Sequence, residues 1–176
     1  MGERKELSYK PLYNEQDLKK RITELGKQIS DDYRGQELIC VGVLKGSVIF
    51  MADLVRAIDI PLQMEFIGVK SYDGTSSSGH VQITTDLTAE IKGKNVLIVE
   101  DIVDTGMTLD YLKNLLKVRE PKSLKICALL SKPDAHIMKN EVEYVGYEIS
   151  KEFVVGFGLD LDGHYRQLPY IAQVME

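Results

Sequence analysis

The chain has no tryptophan, only five prolines and two cysteines, and no apolar run of membrane-spanning length. Each shortage excludes something. A bilayer span needs about 20 consecutive apolar residues, and every apolar run here meets a charged residue well short of that. The opening MGERKELSYK lacks the apolar core of a secretory signal, and Glu6 stands where an N-myristoylation pattern has Ser or Thr. The expected location is therefore cytoplasmic. Cys40 and Cys127 lie inside the apolar runs LICVGV and LKICALL, so reduced core residues are expected, not a disulfide or a metal pair. Positive charge is also short: 22 Lys and Arg stand against 27 Asp and Glu, a net charge of −5. That excludes a broad nucleic-acid or anionic-membrane footprint but not a local phosphate site.

What remains is ordinary globular material: 176 residues, 44% apolar and 28% charged, enough for one domain that buries roughly 70% of its unfolded surface. Over residues 14–34, Leu18, Ile22, Leu25, Ile29 and Tyr33 recur every three or four positions. This predicts an amphipathic helix with Asn14 as N-cap and Gly35 as stop. Helical stripes also fit 48–58 and 107–118, the second with Met107, Leu109, Leu112, Leu115 and Leu116 facing inward. Strand-like runs fall at 37–44, 62–69, 95–99, 124–130, 143–147 and 153–157. Apolar runs alternating with helices, without strict polar alternation, predict an α/β fold: a mainly parallel twisted sheet flanked by helices.

Such a sheet binds ligands beyond the carboxyl ends of its strands. Three segments fall there: LKGS, SYDGTSSSGH and EDIVDTG. The stretch 71–79 holds four Ser, two Gly and one Thr, and is expected to be a mobile loop. EDIVDTG places three acids within five positions at the end of a buried strand. Two like charges 4 Å apart repel by about 4 kcal/mol at an effective dielectric near 20, so the segment reads as one completed by a ligand. Successive strand residues point to opposite faces. Glu100 and Asp101 are therefore expected to diverge, each free to accept from one of two vicinal hydroxyls, as on a ribose. Asp104, Thr105, Gly106, Met107 and Thr108 then form a short loop opening a helix. Its N–H groups and Thr hydroxyls suit a phosphate. The competing reading, a helix cap with solvated acids, leaves their place at the end of a buried strand unexplained.

These residues carry a resemblance. VLIVEDIVDTGMTL resembles the phosphoribosyl-pyrophosphate motif of the purine and pyrimidine phosphoribosyltransferases. The likeness extends over nearly the whole chain, most closely to the bacterial hypoxanthine and hypoxanthine-guanine branch. VGVLKGSVIFMADL is similar to the family's pyrophosphate loop and the helix after it, and KSYDGTSSSGHV to its flexible catalytic loop. ICALLSKP and YVGYEISKEFVVGFGLDLDGHYRQLPYI are similar to its purine-recognition region. The resemblance implies the type I phosphoribosyltransferase fold as one domain over 1–176, with a core near 36–140 and a small hood from about 1–13 and 141–176.

It also implies roles. Glu100 and Asp101 would hold the ribose hydroxyls, and Asp104 to Thr108 the 5′-phosphate, with Asp104 also the proton acceptor near N7 of the base. Leu44, Lys45 and Gly46 would offer N–H groups to pyrophosphate through a turn whose Leu-Lys peptide the family often holds cis, and Arg166 would face the same group. Ser71 and Tyr72 would belong to a closing lid. Lys132 would donate to the purine 6-oxo group, Phe153 would stack on the base, and Val154 would meet its Watson–Crick edge. Asp160 would help hold Mg²⁺ together with Glu100 and Asp101. The chain departs from the pattern where KPDAH replaces a KPSRR-like run, which loses positive charge at Ala135 and leaves His136 as a weak substitute toward pyrophosphate. Leu161 stands where an aromatic often follows. His80 and His164 are expected on the surface.

The implied reaction is transfer of 5-phosphoribosyl from phosphoribosyl pyrophosphate to N9 of hypoxanthine or guanine, by a homodimer or homotetramer with neither nucleic acid nor membrane as partner. Two alternatives stay open. One is a xanthine- or guanine-preferring member, since nothing obvious reads position 2 of the base. The other is an RNA-binding regulator on the same fold, opposed by the net charge of −5 and the lack of a basic, aromatic-laced stripe.

Overall fold

The computed structural model describes residues 8–71, 81–137 and 141–175, without the side chains of Ser71 and Val81. Tyr72, His80 and the body of the expected lid therefore lie outside the described residues. In chain order the elements are β1 (Tyr9–Tyr13), α1 (Glu15–Asp32), β2 (Leu38–Leu44), α2 (Val48–Ala57), β3 (Leu62–Ser71), β4 (Val81–Thr85), β5 (Asn95–Val103), α3 (Met107–Lys117), β6 (Ser123–Ser131), a 3₁₀ turn (Pro133–Ala135), β7 (Tyr144–Glu148), β8 (Val154–Val155) and β9 (Ile171–Val174). A six-stranded sheet has the order β4-β3-β2-β5-β6-β7, and a three-stranded sheet the order β1-β9-β8. In the larger sheet every pairing is parallel except β3 with β4. Among the described residues no helix is long and apolar enough to cross a membrane.

The chain winds from β2 through α2 to β3 in one direction, and from β5 through α3 to β6 in the other. The order thus reverses between β2 and β5, and ligands bind at such a reversal. Both strands are apolar on both faces because helices cover both faces. On one side α1 and α2 place Leu25, Ile29, Phe50 and Leu54 against Cys40, Leu97, Val99 and Cys127. On the other, Leu109, Leu112 and Leu116 of α3 meet Val41, Ile98, Ile126 and Ala128. Both cysteines are free and buried, as expected, and burial pushes the Cys40 thiol up to about 12.

Asn14 does cap α1: its Oδ1 accepts from the Asp17 N–H at 2.9 Å, and Asp17 answers with Oδ2 to the Asn14 N–H at 3.4 Å. The helix stops at Asp32, and Gly35 follows at φ +73°. At its other face, Arg21 donates from Nε to the Gly146 carbonyl and from Nη2 to the Val145 carbonyl, both at 2.7 Å.

Several expectations need correction. β5 runs on to Val103, so Glu100 and Asp101 lie inside the strand, because pairing with β6 continues through Val103↔Ser131. β7 belongs to the parallel sheet by its pairing with β6, while β1, β8 and β9 form the separate three-stranded sheet. Only Val154 and Val155 of 153–157 are strand. Met107 is 57% exposed; at 3.6 residues per turn it lies opposite the stripe of Leu109, Leu112 and Leu116. β1, β4 and β9 were not expected. They are short, and β1 becomes strand by pairing with β9, Tyr9 opposite Val174.

α1 and α2 touch through Gly26, where an added Cβ would sit 2.5 Å from the Ala57 carbonyl oxygen. Gly26→Ala would gain about 1 kcal/mol of helix propensity, but overpacking against backbone costs about 1–3 kcal/mol. No rotamer can relieve a backbone clash, so the second effect should win. The expected result is a lower urea midpoint at unchanged slope; a higher midpoint would mean that the helices separate at little cost.

Candidate active site

The loop after β5 begins at Asp104 and turns at Gly106 (φ +80°) into α3. The Met107 N–H lies 3.5 Å from Thr105 Oγ1, and the Asp110 N–H bonds the Gly106 carbonyl at 2.9 Å. A cavity of about 260 Å³ opens over this loop, walled by Glu100, Asp104 to Leu109, and Val43 and Leu44 of β2. N–H groups at a helix start, flanked by the hydroxyls of Thr105 and Thr108, make an anion site of phosphate size. Since N–H groups form that site, the outward-turned Met107 side chain costs it nothing.

Glu100 and Asp101 do not part as expected. Burial pushes the Glu100 carboxyl well up, and the charge of the adjacent Asp101 carboxylate pushes it further. Burial raises Asp101 too, opposed by the Ile102 N–H, which donates to Oδ1 at 3.0 Å, and by the charge of Arg166. Alternation separates the two Cβ atoms only, and the longer Glu side chain brings its carboxyl back toward its neighbour. Glu100 Oε2 is buried and, among the described residues, has no hydrogen-bond partner. An orphaned, buried carboxylate oxygen suits a cation or a sugar hydroxyl. Among the described residues no group of three or more acids, His or Cys is placed to hold a metal. Glu100, Asp101 and Asp160 therefore do not form one cage. Mg²⁺ fits here as an ion resting on one or two carboxylates and chiefly on substrate phosphates.

The turn after β2 carries a cis Leu44–Lys45 peptide, the form the family often holds, and Lys45 is exposed. Gly46 is packed from both sides: a Cβ there would overlap Asp101 Oδ2, and a Cβ on Gly158 would overlap the Gly46 carbonyl oxygen. Gly158 itself sits at φ +102°. The segment after β8 thus rests on the Leu44–Gly46 turn through Gly158, a position whose only signal in the sequence is the Gly-x-Gly of VVGFGLD. Arg166 is engaged rather than free: Nη1 donates to the Gly158 carbonyl at 2.5 Å and Nη2 pairs with Asp160 Oδ1 at 2.6 Å. Asp160 Oδ2 accepts from the Gly163 N–H at 2.7 Å.

A second cavity, about 220 Å³, is walled by Asp101, Ile102, Asp104, Lys132, Phe153, Val154, Leu159 and Asp160. It brings together every residue assigned to purine recognition. Phe153 is 51% exposed on its rim while Val154 is buried, so Phe153 is no core residue. Lys132 Nζ donates to Asp104 Oδ2 at 3.1 Å, and its N–H bonds the Val103 carbonyl at 2.8 Å. Ile102 and Asp104 line both cavities, which makes Asp104 their shared wall. His164 is exposed, as expected. His136 turns inward to Ser131 Oγ at 3.2 Å, a contact the sequence did not signal.

Comparison with known proteins agrees with this geometry. The family model described as a phosphoribosyl transferase domain matches residues 8–162. The hypoxanthine-guanine phosphoribosyltransferase of Mycobacterium tuberculosis (strain ATCC 25618 / H37Rv) is 51% identical over 168 residues, covering 92% of this chain and 83% of that one. The crystal structure of a Staphylococcus aureus hypoxanthine phosphoribosyltransferase aligns with a TM-score of 0.91 at 47% identity, over 96% of this chain and 92% of that one. A Bacillus anthracis hypoxanthine-guanine phosphoribosyltransferase with a HEPES molecule in its active site aligns with a TM-score of 0.92 at 42% identity, over 97% and 100%. This chain belongs to the phosphoribosyl transferase domain family.

Proposed function

We propose that the protein transfers 5-phosphoribosyl from phosphoribosyl pyrophosphate to N9 of hypoxanthine and guanine, releasing pyrophosphate and the nucleoside monophosphate, as a cytoplasmic purine-salvage enzyme. The observation that carries this is the shared wall at Asp104: a phosphate-sized cavity and a purine-sized one meet there, where C1′ and the base must meet. In the reaction the bond from C1′ to the pyrophosphate oxygen breaks, the N9–C1′ bond forms, and the base gives its proton to Asp104. The chain supplies no nucleophile. Its part is positioning and the donation of N–H groups toward leaving charge. Mg²⁺, when bound, supplies positive charge to the pyrophosphate and sugar hydroxyls, with Glu100 and Asp101 as its protein side.

Lys132 explains the choice of base. An ammonium only donates, so it can donate to a 6-oxo oxygen but finds no acceptor in the 6-amino group of adenine. Self-association into a homodimer or homotetramer is part of the same proposal. It is supported by the exposed Val48 and Ile49 at the start of α2 and tested by sedimentation.

The test of function is turnover of hypoxanthine, guanine, xanthine and adenine with phosphoribosyl pyrophosphate and Mg²⁺. The first two should react and adenine should not; turnover of adenine alone, or of no base, overturns the reading. Lys132→Ala should weaken hypoxanthine binding by about 1–3 kcal/mol, the cost of an unpaired buried acceptor, with phosphoribosyl pyrophosphate affinity near wild type. Calorimetric titration of both ligands checks this, and equal loss of both affinities would remove Lys132 from base recognition.

A further inference from the structure

We propose that His136 is a positioning residue for the purine site, acting through Ser131 to hold the turn that presents Lys132. The inference rests on the reading of Lys132 given above. Ser131 closes β6, is 2% exposed, and lies opposite Val103 of β5 and Glu148 of β7. Its carbonyl accepts from the Ile149 N–H at 2.8 Å. The residue is thus fixed by both neighbouring strands and by Ile149, the first residue after β7. Its hydroxyl, buried among these, meets His136 Nε2 at 3.2 Å.

Between the two partners runs the turn Lys132 to Ala135. Pro133 opens its 3₁₀ segment, the Ala135 N–H bonds the Lys132 carbonyl at 2.9 Å, and the His136 N–H bonds the Pro133 carbonyl at 3.2 Å. The chain entering and leaving it is tied down on either side, Lys132 N–H to the carbonyl of Val103 at the end of β5 at 2.8 Å and Ile137 N–H to the carbonyl of Thr105 in the following loop at 3.0 Å. Those bonds fix where the backbone enters and leaves. Among the described contacts, the His136–Ser131 pair closes the turn from within by side chains. A 3₁₀ turn of three residues has poor hydrogen-bond geometry of its own, so this closure decides how sharply the Lys132 stem is aimed at the cavity. The ring serves in either protonation state, because a hydroxyl both donates and accepts. The role is therefore positional, and it replaces the expectation that His136 supplies charge toward pyrophosphate.

The experiment uses the full chain with His136→Ala, Ser131→Ala, the double variant and His136→Gln, whose terminal nitrogen reaches about as far as Nε2. Steady-state constants for hypoxanthine and phosphoribosyl pyrophosphate are measured with urea midpoints. His136→Ala should raise the KM for hypoxanthine about five- to tenfold, the effect of one lost hydrogen bond, and leave that for phosphoribosyl pyrophosphate within about twofold of wild type. His136→Gln should restore most of the loss, and the double variant should be no worse than His136→Ala. Equal rises in both KM values, additive effects, or an unchanged hypoxanthine KM would overturn the assignment. An inactive wild-type protein would instead refute the proposed reaction, so the two failures are told apart.

Discussion

Asp104→Asn is expected to slow the chemical step about a hundredfold or more, the usual worth of a positioned acid or base, while substrates still bind. An amide keeps the shape of the carboxylate but cannot take the proton that the base must lose. Asp104 lies at the junction of the two cavities, where no other described carboxylate lines both. The substitution has a second consequence. Lys132 Nζ pairs with Asp104 Oδ2 at 3.1 Å, so any 6-oxo group it meets shares the ammonium with that partner. Asn offers a weaker partner, so hypoxanthine affinity should stay level or rise as turnover collapses. Single-turnover kinetics with calorimetry separate the two quantities. A chemical step within a few-fold of wild type would take Asp104 out of proton transfer.

Glu100→Gln with Asp101→Asn should abolish measurable turnover and weaken phosphoribosyl pyrophosphate binding, yet raise the melting temperature of the ligand-free protein. The buried Asp101 carboxyl and the half-buried Glu100 carboxyl destabilise each other, and Glu100 Oε2 is a buried oxygen without a hydrogen-bond partner among the described residues. Each kcal/mol of relief should lift the melting point by about 2–4 °C in a chain of this size. The pH dependence has a definite sign. A carboxyl whose folded pKa is raised adds no penalty below its unfolded value, about 4. It then costs stability as pH climbs from there through the raised folded value. In chelator without substrate, the gain of the double variant over wild type should therefore grow from acid toward neutral pH. A variant that melts lower at every pH, or that keeps full turnover, would contradict the assignment of these acids to the substrate.

The part of the candidate site around EDIVDTG was legible because it is contiguous. Strand, acids, turn glycine and helix start follow one another from Val99 to Leu109, and each local preference agrees with the next. The three long helical stripes were legible for a similar reason: Leu18, Ile22, Leu25 and Ile29 leave one period to choose from. The rest of the site was not. Lys132, Phe153 and Asp160 are far apart in the chain and line one cavity only in the fold, so no local spacing joins them and only the family resemblance does. β1 and β9 escaped because a short strand has little pattern of its own and becomes strand by pairing. The carboxyl pair was misjudged by arguing from Cβ directions, which fix where a side chain starts and not where a flexible Glu ends. Against a KPSRR-like run His136 reads as a weak substitute for lost positive charge; the sequence does not show that its partner, five residues back, is a buried hydroxyl.

Arg21 has a bearing on behaviour at high concentration. β7 is an outer strand of the larger sheet, and an outer strand with idle carbonyls invites another chain to extend it. Here a guanidinium rooted in α1 sits on the carbonyls of Val145 and Gly146, bringing a charge and the side of a helix against that rim. An approaching strand would have to displace both. The same residue that fastens a helix to the sheet also brings the sheet's growth to a halt on that side.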